Sequence, residues 1–228
     1  MSKTRQISLH ERMRDIVLEH PAIHNDFLTR FSRGEATDSE FEGFAREFFH
    51  FSRTFPAILA NLLVNTPDEA EALELTKVLA SELGDGDPSR RHELLFRKFL
   101  RSIGIDPARV ISEQVKPSTN AYLNGLWRLY GGRDHGRALG ASFGLENMAI
   151  PMWDQLLPGL KIVKERRLPQ MDIEYFTFHR ELESQHEDAM EEVTEIVGKD
   201  PASVKSFESG VREALDLLHG FWVGLEEN

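Results

Sequence analysis

The residues best suited to chemistry lie in the segment HRELESQH, which contains His179, Glu183 and His186. Their offsets of four and seven residues place the three side chains within about 60° of one another on one face of an α-helix. Imidazole and carboxylate groups are ligands of iron, manganese and zinc, so this face predicts a metal site. Two histidines with one carboxylate are also the ligand set of ferrous sites that react with O2.

The residues around this motif indicate that its helix face is buried. Apolar side chains recur along the same helix and form a stripe, on or beside which the three polar residues lie: Ile173, Phe176, Leu182, Ala189 and Val193. A buried charge requires an opposite charge or a metal ion, which favours the metal interpretation. The alternative is a solvated face in an acidic protein.

Two acids and a histidine elsewhere are also out of place in apolar surroundings. Glu82 ends a predicted helix, and His92 opens the next one after the break GDGDPS. Glu146 lies within ALGASFGLENMAIPMW, the most apolar stretch of the chain. Because a charge in such a segment needs a partner, we expect Glu146 either to bind metal or to pair with Arg53 or Arg137.

The composition excludes several classes of protein. The chain contains no cysteine, which removes disulfides, thiolate metal sites and cysteine nucleophiles. A formal net charge of −11 argues against nucleic acid or an anionic membrane as a partner. No segment approaches the roughly 18–20 apolar residues that span a bilayer, and the polar N-terminus has no apolar signal core. We therefore expect a cytoplasmic protein.

Hydrophobic spacing is helical throughout, and it predicts an all-α fold, a compact bundle in one domain over residues 1–228. Asp38 and Ser89 are expected as helix caps, Pro56 as a kink, and Pro151 and Pro158 as interruptions. A short helix is expected to start at Asp106-Pro107. The other helices are predicted at about 8–19, 21–33, 38–65, 66–83, 89–103, 118–131, 135–165, 171–197 and 201–225.

Taken together, the sequence resembles the haem-oxygenase-like diiron oxidases and oxygenases, in the larger group that includes thiaminase II and pyrroloquinoline-quinone synthase. The segments HNDF at 24–27 and FFHFSRTFP at 48–56 agree with the early helices of that family, and the resemblance covers nearly the whole chain. The residues that carry it most specifically are Glu82, His92 followed by ELLFRKFL, Glu146, and His179-x3-Glu183-x2-His186.

The resemblance implies about seven core helices with two Fe ions between them as Fe2+, although manganese or a mixed pair also fits. Glu82 and His92 would bind in one iron region, Glu146 would lie between the metals, and His179, Glu183 and His186 would come from the late helix. The insertion-like GDGDPS departs from the family spacing, so Glu82 and His92 converge only if this loop folds back.

The same resemblance implies O2 and a small molecule as substrates, and it is compatible with a homodimer. The outcomes it implies are N-oxygenation, desaturation, or oxidative C–C or C–N cleavage. We expect the substrate pocket one turn from the ligands, and Arg53 as a clamp for a substrate carboxylate or a partner of a core acid. The expected lining residues are Phe143, Met148, Ala149, Met152, Tyr175 and Phe176, any of which could instead be plain core. His50 is expected as a supporting residue behind the ligands or as a core histidine.

Two other functions fit the sequence. One is a cofactor-independent oxidase similar to pyrroloquinoline-quinone synthase, and the other is a non-catalytic metal- or ligand-binding bundle. Thiaminase II activity is not expected because it requires a cysteine. Self-sacrificing para-aminobenzoate synthesis is also not expected, because Phe27 and approximately Leu156 stand where that group has a tyrosine and a lysine.

Overall fold

The computed structural model describes the backbone of residues 7–226, and it describes their side chains except at 182–192 and 196. Across this range the backbone forms ten α-helices and one 3-10 turn, and it contains no β-strand. The α-helices are α1 (Leu9–Leu18), α2 (Asp26–Ser32), α3 (Asp38–Val64), α4 (Glu69–Glu82), α5 (His92–Ser102), α6 (Pro107–Ser112), α7 (Pro117–Tyr130), α8 (His135–Arg166), α9 (Glu174–Val197) and α10 (Pro201–Glu226).

Helix α3 begins at a capping box one residue earlier than the predicted cap. The Thr37 side chain accepts a hydrogen bond from the Glu40 backbone N–H at 3.2 Å, and the Glu40 carboxylate accepts one from the Thr37 N–H at 2.8 Å. Asp38 is the first helical residue rather than the cap. This exchange satisfies two backbone donors at the helix start, which is why the chain turns into α3 here.

Prolines do not divide the long helices. Pro56 lies inside α3, and Pro151 and Pro158 lie inside α8, which runs without a break for 32 residues. The predicted interruptions of α8 are therefore wrong. A proline removes one backbone donor, and in α8 the surrounding residues are buried almost continuously, so tertiary packing outweighs that loss.

Helices α8 and α10 pack closely because each has a glycine that faces the backbone of the other helix. A side chain at Gly140 would collide with the Phe207 carbonyl, and one at Gly210 would collide with the Arg137 carbonyl. The missing side chains let the two helices approach to backbone contact. This pair fixes α8, the helix that carries Glu146.

An aromatic core lies between α2, α3, α5, α9 and α10. Phe44 packs edge-on against Phe31 at a centroid distance of 4.9 Å, and Phe27 stacks on Trp222 at 5.5 Å. Phe176 contacts Phe99 edge-on at 4.9 Å. Buried aromatic side chains contribute large apolar areas, so this core holds the front half of the chain against the last helix.

The connection between α4 and α5 reverses through three successive residues with positive φ. Gly84 has φ +94°, Asp85 +50° and Gly86 +85°. A 3-10 turn at Pro88–Arg90 follows, and α5 starts at His92. Ser89 lies within this turn and does not cap α5, which has no side-chain cap. The loop folds back as required for Glu82 and His92 to meet.

No helix of the described residues is long and apolar enough to cross a membrane.

Candidate metal centre

Four helices bring buried acids and histidines to one place in the bundle. Glu82 is the last residue of α4, and His92 is the first residue of α5. Glu146 lies midway along α8, and His179 lies in the second turn of α9. Their side chains are 7%, 0%, 4% and 5% exposed, respectively, so these polar groups are shielded from bulk water.

Glu82, His92 and His179 form a tight triad. His92 Nδ1 lies 2.8 Å from Glu82 Oε2, and His179 Nε2 lies 4.0 Å from Glu82 Oε1. One ligand atom from each residue lies within 4.8 Å of the others. The imidazole ring centroids are 4.1 Å apart. Two imidazoles and a carboxylate at this separation can share one metal ion.

The tautomer of His179 suits a metal ligand. Its Nδ1 lies 2.8 Å from the Tyr175 carbonyl oxygen, which can only accept, so Nδ1 carries the hydrogen and donates. The lone pair is then on Nε2, the atom that faces Glu82. A backbone carbonyl that fixes the other ring nitrogen is the usual support of a metal-binding histidine.

His92 presents a second nitrogen in need of a partner. Its Nε2 is buried and makes no hydrogen bond in the structure. A buried nitrogen left in this state is destabilising, and a metal ion is one group that would satisfy it. The donor chemistry of the triad therefore fits an iron ion.

Glu146 lies in the wall of a small cavity that also touches Glu82 and His179. Glu146 thus lies beside two residues of the triad, and its role between the metals stays a prediction. Arg137 binds Glu213, with 2.9 Å between its Nε and Oε2, and Arg53 is exposed. The two arginines suggested as partners of Glu146 are therefore placed elsewhere.

Glu183 and His186 lie outside the described side chains. The backbone of α9 is helical from Glu174 to Val197, which includes both positions. Their place on the same helix face as His179 therefore follows from helical geometry, and their role as ligands stays a prediction.

The cavity has a volume of about 40 Å³, and its wall is mostly apolar. Four of the residues expected in a substrate pocket line this cavity, namely Met148, Ala149, Met152 and Tyr175, and their contact with a substrate stays a prediction. The complete described lining is Phe51, Ser52, Phe55, Glu82, Leu145, Glu146, Met148, Ala149, Met152, Trp153, Tyr175 and His179.

Two predicted pocket residues belong to the core instead. Phe143 packs against His10 and Phe207, with both centroid distances 5.4 Å. Phe176 points into the aromatic core against Phe99. Neither residue lines the cavity, because each is displaced around its helix from the residues that do.

Arg53 and His50 are not among the described residues that line the cavity. Arg53 is exposed, and its contact with a substrate carboxylate stays a prediction. His50 is buried, and this burial lowers its pKa. Its charged neighbours are Glu47, Arg53 and Glu113.

Several lining residues were missed from the sequence. Trp153 follows Glu146 by seven residues and therefore shares its helix face. This spacing is a signal in the sequence that could have predicted Trp153 as a lining residue. Phe51 and Phe55 are two of the six buried phenylalanines of α3, and the sequence does not distinguish them from core residues. Ser52 carried no signal in the sequence.

An all-helical bundle with a buried Glu/His triad defines a haem-oxygenase-like metalloenzyme. Residues 42–219 match the family described as iron-containing redox enzymes, and the chain belongs to this family.

Curated relatives match over most of this chain. A 4-chloro-allylglycine synthase from Streptantibioticus cattleyicolor is 29% identical over 214 residues, which is 92% of this chain and 80% of that protein. A 4-aminobenzoate synthase from Chlamydia trachomatis is 22% identical over 209 residues, which is 91% of this chain and 87% of that protein.

Solved structures share the fold. A CADD-like protein of unknown function from Nostoc punctiforme superimposes with a TM-score of 0.78 at 18% identity, covering 95% of each chain. A TenA homologue from Pseudomonas syringae gives a TM-score of 0.79 at 10% identity, covering 96% of this chain and 91% of that one. At these identities the likeness concerns the fold alone.

These comparisons confirm the predicted family, the helical fold and the class of enzyme. The chain has a haem-oxygenase-like helical fold and is an iron-containing redox enzyme.

Proposed function

We propose that this chain binds two iron ions between α4, α5, α8 and α9 and uses them with O2 to oxidise a small molecule in the adjacent cavity. The observation that supports this most is the convergence of Glu82, His92 and His179, which the sequence separates by as much as 97 residues. Such a triad inside an apolar bundle has no simpler use than metal binding.

The proposed ligands are the triad with Glu146, Glu183 and His186. Six nitrogen and oxygen donors suit two ions that each keep open positions for O2 and substrate. Manganese in one or both places is the alternative. Bound iron would supply the redox chemistry that the reaction with O2 requires.

The protein's own part is to orient the ligands and exclude water. The Tyr175 carbonyl holds the hydrogen on His179 Nδ1, and the contact with His92 fixes the direction of the Glu82 carboxylate. The wall of Phe51, Phe55 and Trp153 keeps the ligand ends of these side chains in apolar surroundings. Electrostatic interactions are stronger in such a site than in water.

The proposed reaction is an oxidation of the substrate carbon or nitrogen skeleton, as N-oxygenation, desaturation, or C–C or C–N cleavage. We do not carry over 4-aminobenzoate synthesis from the chlamydial relatives. Phe27, which stands in place of the tyrosine expected for that activity, is 1% exposed and stacks on Trp222 as part of the aromatic core.

We also propose that residues 1–228 act as one helical-bundle domain. One cluster of buried apolar residues includes members from α1 to α10, from Met13 to Leu225. A shared core of this kind is what makes helices fold as a unit.

Iron analysis after anaerobic loading with Fe2+ tests the proposal. We expect two equivalents of iron per chain and O2 uptake that depends on it. Less than about half an equivalent, without iron-dependent O2 uptake, would contradict the proposal, because a folded site of this donor set binds metal tightly. O2 uptake that survives complete chelation would favour the cofactor-independent oxidase instead.

A further inference from the structure

We propose that the Ser52 hydroxyl is the hydrogen-bonding group for the small non-protein ligand that completes the metal centre, a ligand of the size of azide or nitric oxide. Ser52 lies on α3, a helix that contributes none of the proposed metal ligands. The inference rests on the proposed function, because it requires a metal in the cavity.

The first observation is the state of the hydroxyl. Ser52 is 3% exposed, and its Oγ is buried without a hydrogen-bond partner in the structure. A serine or threonine inside a helix commonly donates to the carbonyl one turn earlier. Thr54, two residues away, does this: its Oγ1 lies 2.7 Å from the His50 carbonyl oxygen. Ser52 does not, although the same option exists on its own helix.

The second observation is the position of the side chain. Ser52 lines the cavity that contains Glu82, Glu146 and His179. The volume of about 40 Å³ holds on the order of two or three water-sized spheres. The Ser52 hydroxyl has almost no accessible surface in this form, so it meets a ligand at the metal-binding side chains by rotating about its Cα–Cβ bond into the cavity.

The third observation is the chemical character of the other residues that line the cavity. Glu82, Glu146 and His179 are proposed as metal ligands, and Trp153 and Tyr175 have other interactions. The remaining described lining residues besides Ser52 are apolar, and none of the described lining residues is lysine or arginine. The sequence from 181 to 197 in α9 contains no lysine or arginine either.

The chemistry of the contact follows from these observations. A hydroxyl can donate one hydrogen bond and also accept. A neutral donor near the metal stabilises an anionic or polar ligand there without adding a charge to the centre. Ser52 therefore acts as a positioning residue for that ligand, and it is not itself a metal ligand.

The test uses the full-length protein loaded with iron, with azide as the probe for the oxidised form and nitric oxide as the probe for the reduced form. The dissociation constant of each probe is measured by optical titration in wild type, Ser52→Ala, Ser52→Thr and Ser142→Ala. Ser142 is the matched control: it is 1% exposed and its hydroxyl is buried beside Tyr130, but it is not among the described residues that line the cavity.

We expect Ser52→Ala to raise the azide dissociation constant by about 5- to 10-fold, the range for one lost hydrogen bond. Ser142→Ala should stay within about twofold of wild type, and Ser52→Thr should restore most of the affinity, since a lost hydrogen bond accounts for the whole effect. Iron content is measured first in every variant. Equal azide affinities in Ser52→Ala and wild type would overturn the inference, as would the absence of any azide-dependent spectral change in iron-loaded wild type.

The iron content distinguishes this result from failure of the proposed function. If wild type binds no iron, the metal proposal and this one fail together. If iron binds but Ser52→Ala leaves azide and nitric oxide affinities unchanged, only the role of Ser52 is wrong. Thermal unfolding distinguishes a structural role of Ser52 from a role in binding the ligand. Replacing a buried, unpartnered hydroxyl by alanine should leave the melting temperature unchanged or raise it. A marked fall in melting temperature would show that Ser52 serves the fold.

Discussion

Helix α4 makes two buried glutamate–histidine contacts, one at each end, and they differ in what surrounds them. Near its start, Glu71 Oε2 lies 2.6 Å from Nε2 of His135, the first residue of α8. At its end, Glu82 Oε2 lies 2.8 Å from Nδ1 of His92, the first residue of α5. The glutamate side chains are 6% and 7% exposed. By distance and burial of the acid, the two contacts are alike.

The histidines and their surroundings separate the two contacts. The His92 side chain is fully buried, whereas that of His135 is 27% exposed. Each ring has one buried nitrogen without a hydrogen-bond partner in the structure, so that property does not distinguish them. His179 supplies a third ligand at Glu82, and within the described residues no third histidine or acid groups with Glu71 and His135 in this way. A buried Glu–His pair alone therefore does not indicate a metal centre. A third ligand that converges on the pair beside a cavity does indicate one.

The strongest test of this difference is removal of each histidine. His92→Ala should weaken iron binding by more than about 100-fold, because even residues that only support metal ligands contribute 10- to 100-fold. His135→Ala should leave the iron dissociation constant within about twofold, since its partner is a structural acid. Competition with a chelator of known affinity measures both. Equal iron binding by the two variants would remove the distinction between the ends of α4.

The second test removes the acid at the structural end. Glu71→Ala should lower the free energy of unfolding by about 1–3 kcal/mol, the cost of a buried polar group that loses its partner. Urea unfolding of the iron-free protein measures this change. Iron content after loading should match wild type. Loss of iron in Glu71→Ala would mean that the contact at the start of α4 is required to form the centre at its end.

The third test, with a smaller expected change in stability, concerns the ion pair of Arg30 and Glu40, which contains no histidine. The hydrogen bond from Arg30 lowers the pKa of Glu40 to about 2, below its ordinary value of 4.5. Because the folded-state pKa is lowered, the stabilisation is present above pH 4.5 and is lost as the pH falls towards 2. Glu40→Gln should reduce the unfolding free energy by about 1 kcal/mol at neutral pH, since Arg30 is partly exposed.

The pH profile is the readout for this pair. The difference between Glu40→Gln and wild type should shrink as the pH is lowered through 4.5, because the Glu40 carboxylate is then protonated and its charge is lost. A difference that is constant down to pH 3 would show that the Glu40 effect comes from the capping box of α3 rather than from its charge.

The sequence predicted the helices well because their apolar spacing repeats over many turns. It also predicted the buried state of Glu82, His92, Glu146 and His179, because each interrupts an apolar pattern. Their convergence was expected from family resemblance rather than from spacing. The return of the chain through Gly84, Asp85 and Gly86 depends on three positive φ values, which the letters GDG permit but do not determine.

The lining of the cavity was predicted only in part. Met152 and Tyr175 line it, whereas Phe143 and Phe176 face the core, although all four lie within two turns of a proposed ligand. The direction in which each side chain points depends on how the helices are rotated against one another, and a single sequence does not contain that rotation. The α8 interruptions were wrong for a related reason, since packing along its whole length outweighs two prolines.

The most direct test of the metal centre is a crystal structure of the iron-loaded protein with anomalous data collected at the iron absorption edge. We expect an anomalous peak at coordination distance, about 2.0–2.3 Å, from side-chain atoms of Glu82, His92 and His179. A second peak is expected on the side of Glu146. Iron-loaded crystals with no peak at the triad, or with iron beside Glu71 and His135 instead, would contradict the proposed centre.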